Sequence, residues 1–443
     1  MSVLSRVRWL ARHGLAGVLL RREARRGSLD ARLMTDAALR ADPFQTYDAI
    51  RERGLVSKGP FGLVTASHSV CANLLRSDAF GVGLRPESLP KPIGLLLQAA
   101  SRGAVPTPVD PPSMLAVDPP VHTRYRRLVS RVFTARAMEA LRPRIEVLAG
   151  ELLDELAADT SGSVELVERY AAQLPVTVIA EILGVPMAMR EQFLAWGNGA
   201  AVTLDIGISY AEFRRSERDL AAMRSWMLGH FAELRTHPGD DLLSQLVAVK
   251  DDQDGRLSED ELAATAMLLL GAGFETTVNL IGNGTVQLVA HPEQLDILRA
   301  DASLWPNAVE EVLRYDSPVQ RTARVAMAPT RLAGSALGSG QLVVALIGGA
   351  NRDPAVFDDP HRFDVTRANA REHLAFSAGV HYCLGAALAR LEGEIGLRTL
   401  FERFPQLSIV GIPVRRGTRV LRGYDEIAVR LSPTNAAASV SSR

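Results

Sequence analysis

The amino-acid sequence predicts a mainly α-helical protein that also contains small β-sheets. Long stretches carry apolar residues at intervals of three and four, and residues 128–157 show this pattern most clearly. Strand-like runs are short and few, and they lie near Leu63–Thr65, Arg331–Leu332, Gln341–Ile347 and Ile427–Leu431. Many helical segments beside a few short strands favour a helical body with small sheets attached, which is an α+β arrangement.

The first 30 residues are predicted to form a basic arm or an amphipathic helix. Residues 1–26 contain seven arginines and one acidic residue, with leucines and valines at nearly helical spacing. The longest apolar run, Leu15 to Leu20, is too short to span a bilayer or to act as the core of a signal peptide. A surface helix or frayed arm is the simpler interpretation, and a helix that touches a membrane surface is the alternative.

The rest of the chain is predicted to form one large domain over residues 31–431. Of the 443 residues, 47% are hydrophobic, which is ample for a large core, and no Gly/Ser linker divides the middle. Residues 81–120 are rich in proline and glycine, and a long irregular segment inside a compact domain is usually functional. The small and polar residues 432–443 are predicted to be a disordered tail.

Charge and cysteine content exclude several classes of protein. The formal net charge is zero, which argues against nucleic acid as a partner. Only two cysteines are present, Cys71 and Cys383, which excludes a disulfide framework and suits a reducing compartment. The predicted location is therefore cytoplasmic, with peripheral membrane contact through the N-terminal arm as the alternative.

One long helix is predicted to begin after Ser258 and to continue to about Ala290. Ser258 and Glu261 have the spacing of a capping box, in which each residue satisfies a free amide of the other. About 30 helical residues span roughly 45 Å, enough to cross the whole domain.

The middle of this helix, GAGFETT (271–277), places two glycines beside an acid and an alcohol. Glycine lowers helix stability by roughly 1 kcal/mol per site, so this combination favours a loosened turn with a ligand against it. Glu275 and Thr276 could then relay protons. Helix packing, with Glu275 in a structural ion pair, is the alternative.

Cys383 lies in FSAGVHYCLGAALARLEG, between Gly379 and a helical run that follows Gly385. A zinc site needs more ligands at close spacing, and no Cys-x-x-Cys is present. A nucleophile needs a nearby base. A thiolate at a helix N-terminus that binds haem iron fits the glycines and the helix, while a buried inert cysteine is the alternative.

Four motifs follow one another in the chain: AGFET, the E-x-x-R of VEEVLR, PHRF, and FSAGVHYCLG. With these motifs the sequence resembles the cytochrome P-450 family, and most of all its soluble bacterial members from actinobacteria and mycobacteria. The resemblance runs from Ala41 to about Leu431. One departure is Ser377, where the family usually has glycine.

The resemblance implies the P-450 fold, with the long central helix over a haem b, and a role for each matching residue. Cys383 would be the iron ligand, and the other members of the predicted catalytic set are Glu275 and Thr276. The residues that would contact the haem are His122, Arg126, Ala272, Gly273, Arg324, Phe376, Gly379, His381 and Cys383. Arg321 competes with Arg324 for a haem propionate.

The resemblance also implies a structural triad on the cysteine side of the haem, formed by Glu311, Arg314 and Arg362. The implied activity is a monooxygenase that activates O2 and hydroxylates an apolar organic molecule, such as a lipid, a steroid-like compound or a polyketide. Electrons would come from a separate ferredoxin and its reductase, and exposed arginines at 124, 127 and 131 could meet that acidic partner. A haem-binding sensor or carrier without turnover is the alternative function.

Overall fold

A computed structural model describes residues 3–83, 95, 104–248 and 257–431, and it confirms the predicted fold class. Helices make up most of the described chain, and the sheets are small. The α-helices are Val3–Trp9, Leu15–Arg25, Leu29–Thr35, Ala37–Ala41, Phe44–Glu52, His68–Arg76, Val121–Ser130, Ala135–Glu139, Arg142–Ala157, Gln173–Leu183, Arg190–Val202, Tyr210–Thr236, Leu242–Ala248, Glu259–Ala290, Pro292–Ala300, Trp305–Tyr315, Ile347–Ala350 and Ala386–Arg403. The predicted tail, residues 432–443, lies outside the described residues.

The largest sheet has five strands, in the order Ser57–Lys58, Gly62–Thr65, Leu342–Leu346, Arg321–Ala326 and Phe80–Gly81. Its second and third strands are parallel, with Val64 opposite Val344, and the other neighbours are antiparallel. A three-stranded sheet joins Val164–Glu165, Ala428–Arg430 and Ser408–Ile409. Two hairpins pair Thr330–Leu332 with Ser335–Leu337 and Val414–Arg415 with Tyr424–Glu426.

The central helix, Glu259–Ala290, is the longest helix among the described residues and begins as predicted. The Ser258 amide donates to the Glu261 carboxylate at 2.8 Å, and the Glu261 amide donates to the Ser258 hydroxyl at 3.2 Å. By length and composition the helix could cross a membrane, but most of it is buried among other helices, as expected for a core element. It remains α-helical through the two glycines, so no loosened turn forms there.

The hydrophobic core surrounds this helix. Buried side chains from Arg142–Ala157, Gln173–Leu183, Trp305–Tyr315 and Ala386–Arg403 pack with it into one continuous cluster. Burial of this apolar area, at roughly 25 cal/mol per Å², is the main source of stability. The helix therefore has a fixed position, against which a site can be built.

Residues 3–25 form one helical rod, in which a π-helical turn at Leu10–Gly14 joins two α-helices. Its outer side exposes Leu4, Leu15 and Val18, and its inner side packs on the rest of the protein. We call residues 3–25 the N-terminal helix. Among residues 104–120, regular structure is limited to the 3₁₀ turn Met114–Ala116, in keeping with the irregular segment predicted there.

Candidate active site

A cavity of about 2130 Å³ lies between the central helix and the loop that carries Cys383. Every residue of the predicted catalytic and haem-contacting sets lines it, with the exception of Gly379. We call it the central cavity. Residues separated by up to 261 positions in the chain thus meet at one site.

The loop that carries Cys383 is closed by its own backbone. The Cys383 amide donates to the Phe376 carbonyl at 2.9 Å, and the helix Ala386–Arg403 begins directly after Gly385. Gly379 has a φ of 68°, and a Cβ atom there would lie 2.5 Å from the Leu75 carbonyl oxygen. Only glycine fits this combination of left-handed backbone and close approach. Gly379 therefore shapes the loop without lining the cavity.

The Cys383 thiol borders the cavity as a free cysteine. Burial raises its pKa, while the Gly385 amide and the charges of Arg126 and Arg390 act in the opposite direction. Low dielectric surroundings disfavour the bare thiolate, and a bound metal cation removes that penalty by deprotonating the thiol. A thiolate at Cys383 would therefore need a bound cation beside it.

Ser377 shows why this position usually holds glycine. Its φ is 63°, in the left-handed region, and its hydroxyl is buried without a hydrogen-bond partner. A residue with a Cβ atom pays roughly 1–2 kcal/mol in this conformation. The departure seen in the sequence is therefore accommodated at the cost of local strain.

Four basic side chains gather at one end of the cavity: His122, Arg126, Arg324 and His381. The two histidine rings lie 4.2 Å apart between centroids, and Nε2 of His381 is buried without a hydrogen-bond partner. Burial lowers the pKa of His381 to about 3, with further lowering from His122, Arg324 and Arg126. Asp118 is the carboxylate near this cluster, with Oδ1 4.0 Å from Nε2 of His381. The two guanidinium groups and the unpartnered His381 nitrogen could still bind an anionic group here.

The structure distinguishes Arg324 from its competitor Arg321. Arg321 is engaged with the Asp30 carboxylate and points away from this cluster. Arg324 is buried and donates only to the Thr322 hydroxyl at 3.2 Å and the Ala323 carbonyl at 2.9 Å. Burial lowers its pKa to about 10, which the charge of Asp118 partly opposes.

The central helix supplies the opposite wall. Ala272 is exposed to the cavity, and the half-exposed Thr276 donates its hydroxyl to the Ala272 carbonyl at 3.1 Å. A Cβ atom on Gly273 would lie 3.0 Å from Ile179, so this glycine also permits close packing with helix Gln173–Leu183. The alcohol and a smooth, small-residue surface therefore face the cavity together.

Glu275 is buried and forms an ion pair with Arg416, which follows the strand Val414–Arg415. Arg416 is held by its amide, which donates to the Gly423 carbonyl at 3.1 Å, and by Nε, which donates to the Tyr424 carbonyl at 3.2 Å. Burial lowers the pKa of Arg416. The ion pair that the sequence left as an alternative is present, and its partner Arg416 was not predicted.

Comparison with known proteins agrees with this geometry. The family model described as Cytochrome P450 matches residues 210–409. A putative cytochrome P450 140 of Mycobacterium tuberculosis is 49% identical over 436 residues, covering 98% of this chain and 99% of the relative. The chain is a cytochrome P450. The 6-deoxyerythronolide B hydroxylase of Saccharopolyspora erythraea is also 49% identical, over 71% of this chain and 76% of that enzyme. The crystal structure of Mycobacterium smegmatis CYP164A2 superposes with a TM-score of 0.81 at 35% identity, covering 91% of this chain and 99% of that one.

Membership of the family makes this cytochrome P450 a monooxygenase and implies a haem cofactor bound through a cysteine thiolate. The residues present fit that group. The cavity offers a cysteine on one wall, small residues opposite, and a cluster of basic groups with an unpartnered His381 nitrogen where two carboxylates could bind.

The predicted structural triad needs one correction. Arg314 is fully buried and binds Glu311 through two hydrogen bonds of 2.7 Å, as expected. Arg362, however, is exposed and contributes its backbone carbonyl, which accepts from Arg314 at 3.0 Å. The third side chain is Arg367, whose Nε lies 3.3 Å from the Glu311 carboxylate.

Two further features of this cytochrome P450 depart from the sequence-based picture. Arg124, predicted to be part of an exposed basic cluster, donates to Glu261 at 2.9 and 3.2 Å and is half-buried. Glu392 is buried under the central helix, and burial raises its pKa well above the ordinary value, which the Thr277 hydroxyl only partly offsets. Glu392 was not predicted, although a glutamate in an otherwise apolar helix face is the signal that could have revealed it.

Proposed function

We propose that this cytochrome P450 binds haem b through Cys383 and hydroxylates a large apolar organic molecule in the central cavity. The observation that carries the proposal is the composition of that single cavity. Its walls bring together a cysteine, an alcohol on the central helix and a cluster of four basic side chains. Each of these is needed by a haem-thiolate site, and no other grouping of histidine, cysteine and acidic residues in the described chain could hold a metal ion.

In this proposal, residues on three elements hold the cofactor. Cys383 would ligate the iron, and Phe376, Ala272 and Gly273 would contribute to the walls that hold the cofactor. The propionates would be bound by His122, Arg126, Arg324 and His381. Their negative charge would also reduce the electrostatic repulsion among these basic side chains. Haem, when bound, supplies the iron at which O2 is reduced and one oxygen atom is transferred to the substrate.

Protons are proposed to reach the oxygen-binding side through Thr276 and Glu275. Thr276 is half-exposed to the cavity, and Glu275 lies one position before it on the helix. Glu275 is paired with Arg416, so it is proposed to exchange a proton with the cavity when this pair opens. Arg416 is therefore proposed as a positioning residue for the acid.

The substrate is proposed to be large and mainly apolar. The cavity volume of about 2130 Å³ exceeds the roughly 300–1,000 Å³ of ordinary ligand pockets, so space remains after a haem is placed. Leu268, Leu269 and Phe213 contribute apolar walls. A relative that is named for the hydroxylation of 6-deoxyerythronolide B supports a polyketide-sized molecule over a small one.

Electrons are proposed to come from a separate ferredoxin-type protein with its own reductase. Val380 and Tyr382 are exposed on either side of the half-exposed His381, in the loop that carries Cys383, and Arg127 and Arg131 are exposed nearby in the chain segment of Arg126. An apolar spot edged by cations suits an acidic electron donor. Soluble bacterial relatives support a cytoplasmic location, and membrane contact through the exposed leucines of the N-terminal helix remains a prediction.

The absorption spectrum of the reduced protein under carbon monoxide tests the proposal, on wild type and on Cys383→Ala. We expect a Soret band shifted far to the red in the wild type and its loss in the variant. A band typical of histidine ligation, or no haem at all, would contradict the assignment of Cys383. Turnover is then measured with a ferredoxin and reductase on a panel of macrolactones, steroids and fatty acids. A thiolate spectrum would favour the sensor or carrier function if no candidate substrate gave a product and none changed the rate of NADH consumption.

A further inference from the structure

The N-terminal helix separates the central cavity from solvent. Its inner side contributes His13, Ala16 and Leu19 to the cavity wall, while its outer side exposes Leu4 and Val18. A helix with the cavity on one side and water on the other is a wall of that cavity. We propose that this helix is a size filter for substrates, held closed by an ion pair between Arg12 and Asp110. The inference rests on the proposed function, because it concerns ligands that enter the haem cavity.

The Arg12–Asp110 pair fixes one edge of the wall. Nη1 and Nη2 of Arg12 donate to the two carboxylate oxygens of Asp110 at 2.8 and 2.7 Å. Asp110 also accepts from the amide and the hydroxyl of Thr107, at 3.0 and 2.7 Å. The pair is bidentate, and both side chains are about one quarter exposed or less, which is the geometry in which such pairs are strongest. The pair joins the N-terminal helix to the irregular segment that lines the cavity.

The opposite edge is fixed on helix Tyr210–Thr236. Arg8 and Ser5 both donate to the Glu217 carboxylate at 2.6 Å, and the Trp9 indole donates to the Ile208 carbonyl at 2.9 Å. Gly17 approaches Gly207 closely, and a Cβ atom added at either position would meet the other glycine's backbone within 4 Å. The N-terminal helix thus bridges two elements that flank the cavity, and the side-chain hydrogen bonds that the structure describes at the Arg12 edge belong to one ion pair.

His13 faces inward from the N-terminal helix. His13 is buried against the Phe213 ring, with centroids 5.5 Å apart, and it makes no hydrogen bond to any residue that the structure describes. Burial lowers its pKa to about 4, assisted by the charge of Arg12. A neutral imidazole beside small and aliphatic side chains offers an apolar ligand no charge to displace. Opening at the Arg12 edge would therefore admit a bulky apolar ligand, whereas a small ligand should pass without it.

The test compares how fast two haem-iron ligands bind to the holoenzyme, measured by stopped-flow absorption. Imidazole is the small probe, and econazole is the bulky apolar probe. The variants are Arg12→Gln, Asp110→Asn and the double variant, with Arg22→Gln as a control. Arg22 is exposed on the same helix, so its substitution makes the same charge change without touching the pair. Thermal midpoints confirm that every variant is folded.

We expect each single substitution to raise the association rate of econazole about tenfold and to leave that of imidazole within about twofold. Because both substitutions break one pair, the double variant should bind econazole as fast as either single variant. Unchanged econazole rates, equal acceleration of both probes, or multiplying effects in the double variant would each overturn the inference. A failure of the proposed function would be distinguishable from these outcomes. In that case neither the wild type nor any variant would show a change in haem absorption when imidazole or econazole is added.

Discussion

The triad around Glu311 provides the sharpest test of the fold, because substitutions of two arginines five positions apart should affect stability very differently. We expect Arg367→Gln to destabilise the protein strongly, and Arg362→Gln to leave its stability nearly unchanged. The two substitutions are chemically identical, and both arginines lie on the same irregular segment. Only the surroundings of the two side chains differ.

The magnitude follows from the contacts of Arg367. Its guanidinium donates to the Asp358, Asp359 and Arg362 carbonyls at 2.6, 3.2 and 3.0 Å, and it neutralises part of the Glu311 charge. Hydrogen bonds with a charged partner contribute roughly 1.5–3 kcal/mol each, and breaking a buried ion pair costs roughly 3–5 kcal/mol in all. Since Glu311 keeps Arg314, we expect a loss of about 4 kcal/mol.

Arg362 gives the contrasting expectation. Its side chain is exposed and donates no hydrogen bond to any described residue, so its replacement should change stability by about 0.5 kcal/mol or less.

For Arg367→Gln, the unfolding entropy of roughly 2.1 cal/mol/K per residue converts the loss of about 4 kcal/mol into a fall of about 4 °C in Tm for 443 residues.

Thermal and urea unfolding of both variants, followed by far-UV circular dichroism, measure this difference. The backbone carbonyl of Arg362 stays in place in Arg362→Gln, so its bond to Arg314 is retained. If Arg362→Gln proved as destabilising as Arg367→Gln, or if Arg367→Gln proved neutral, the assignment of the third triad member would be wrong.

Two other predictions concern residues beside the haem site. Ser377→Gly should raise the free energy of unfolding by about 1 kcal/mol, because glycine has no Cβ atom to disfavour the left-handed conformation at this position. Urea unfolding measures this change. If Ser377→Gly instead lowered stability as much as Gly379→Ala does, the prediction would be contradicted. Glu392→Gln should remove a pH dependence of stability. Because the pKa of Glu392 is raised in the folded state, the folded wild type binds more protons than the unfolded chain. Its free energy of unfolding should therefore fall by up to about 1.4 kcal/mol per pH unit as the pH rises above roughly 4.3. The difference between variant and wild type should therefore grow from pH 4.5 upward in urea unfolding, and parallel pH profiles would show that Glu392 is not buried as an acid.

Features written in local sequence could be predicted. The central helix starts at the expected capping box because Ser258 and Glu261 are three positions apart and satisfy each other's amides. The loop that carries Cys383 was predictable because Gly379 and Gly385 bracket it, and Gly379 has the conformation that demands glycine. These features depend on neighbours within a few positions.

Features that depend on distant partners could not be predicted. Glu275 meets Arg416, which is 141 positions away on a hairpin, and no local pattern selects that arginine from the others. The choice between Arg362 and Arg367 is of the same kind, since the direction of a side chain on an irregular segment has no period. Of the three arginines predicted to be exposed, Arg127 and Arg131 are, but Arg124 is not, because the cap residue Glu261 is also its ion-pair partner.

The buried arginines show by contrast where an anion is expected. Arg314, Arg321, Arg367 and Arg422 each contact a carboxylate, and Arg352 lies between the rings of Phe44 and Tyr315. Among the buried arginines of the described chain, Arg324 alone has neither a carboxylate at hydrogen-bond distance nor an aromatic ring against its guanidinium. The charge of Asp118 acts on it from farther away, and His122 and His381 lie in the same cluster. The other five buried guanidinium groups each have a carboxylate or an aromatic ring against them. Because a poorly compensated buried charge destabilises a protein, we expect an anionic ligand to complete the partners of Arg324. The propionates of a haem held at Cys383 would supply the missing charge, so the basic cluster and the cysteine point independently to the same cofactor.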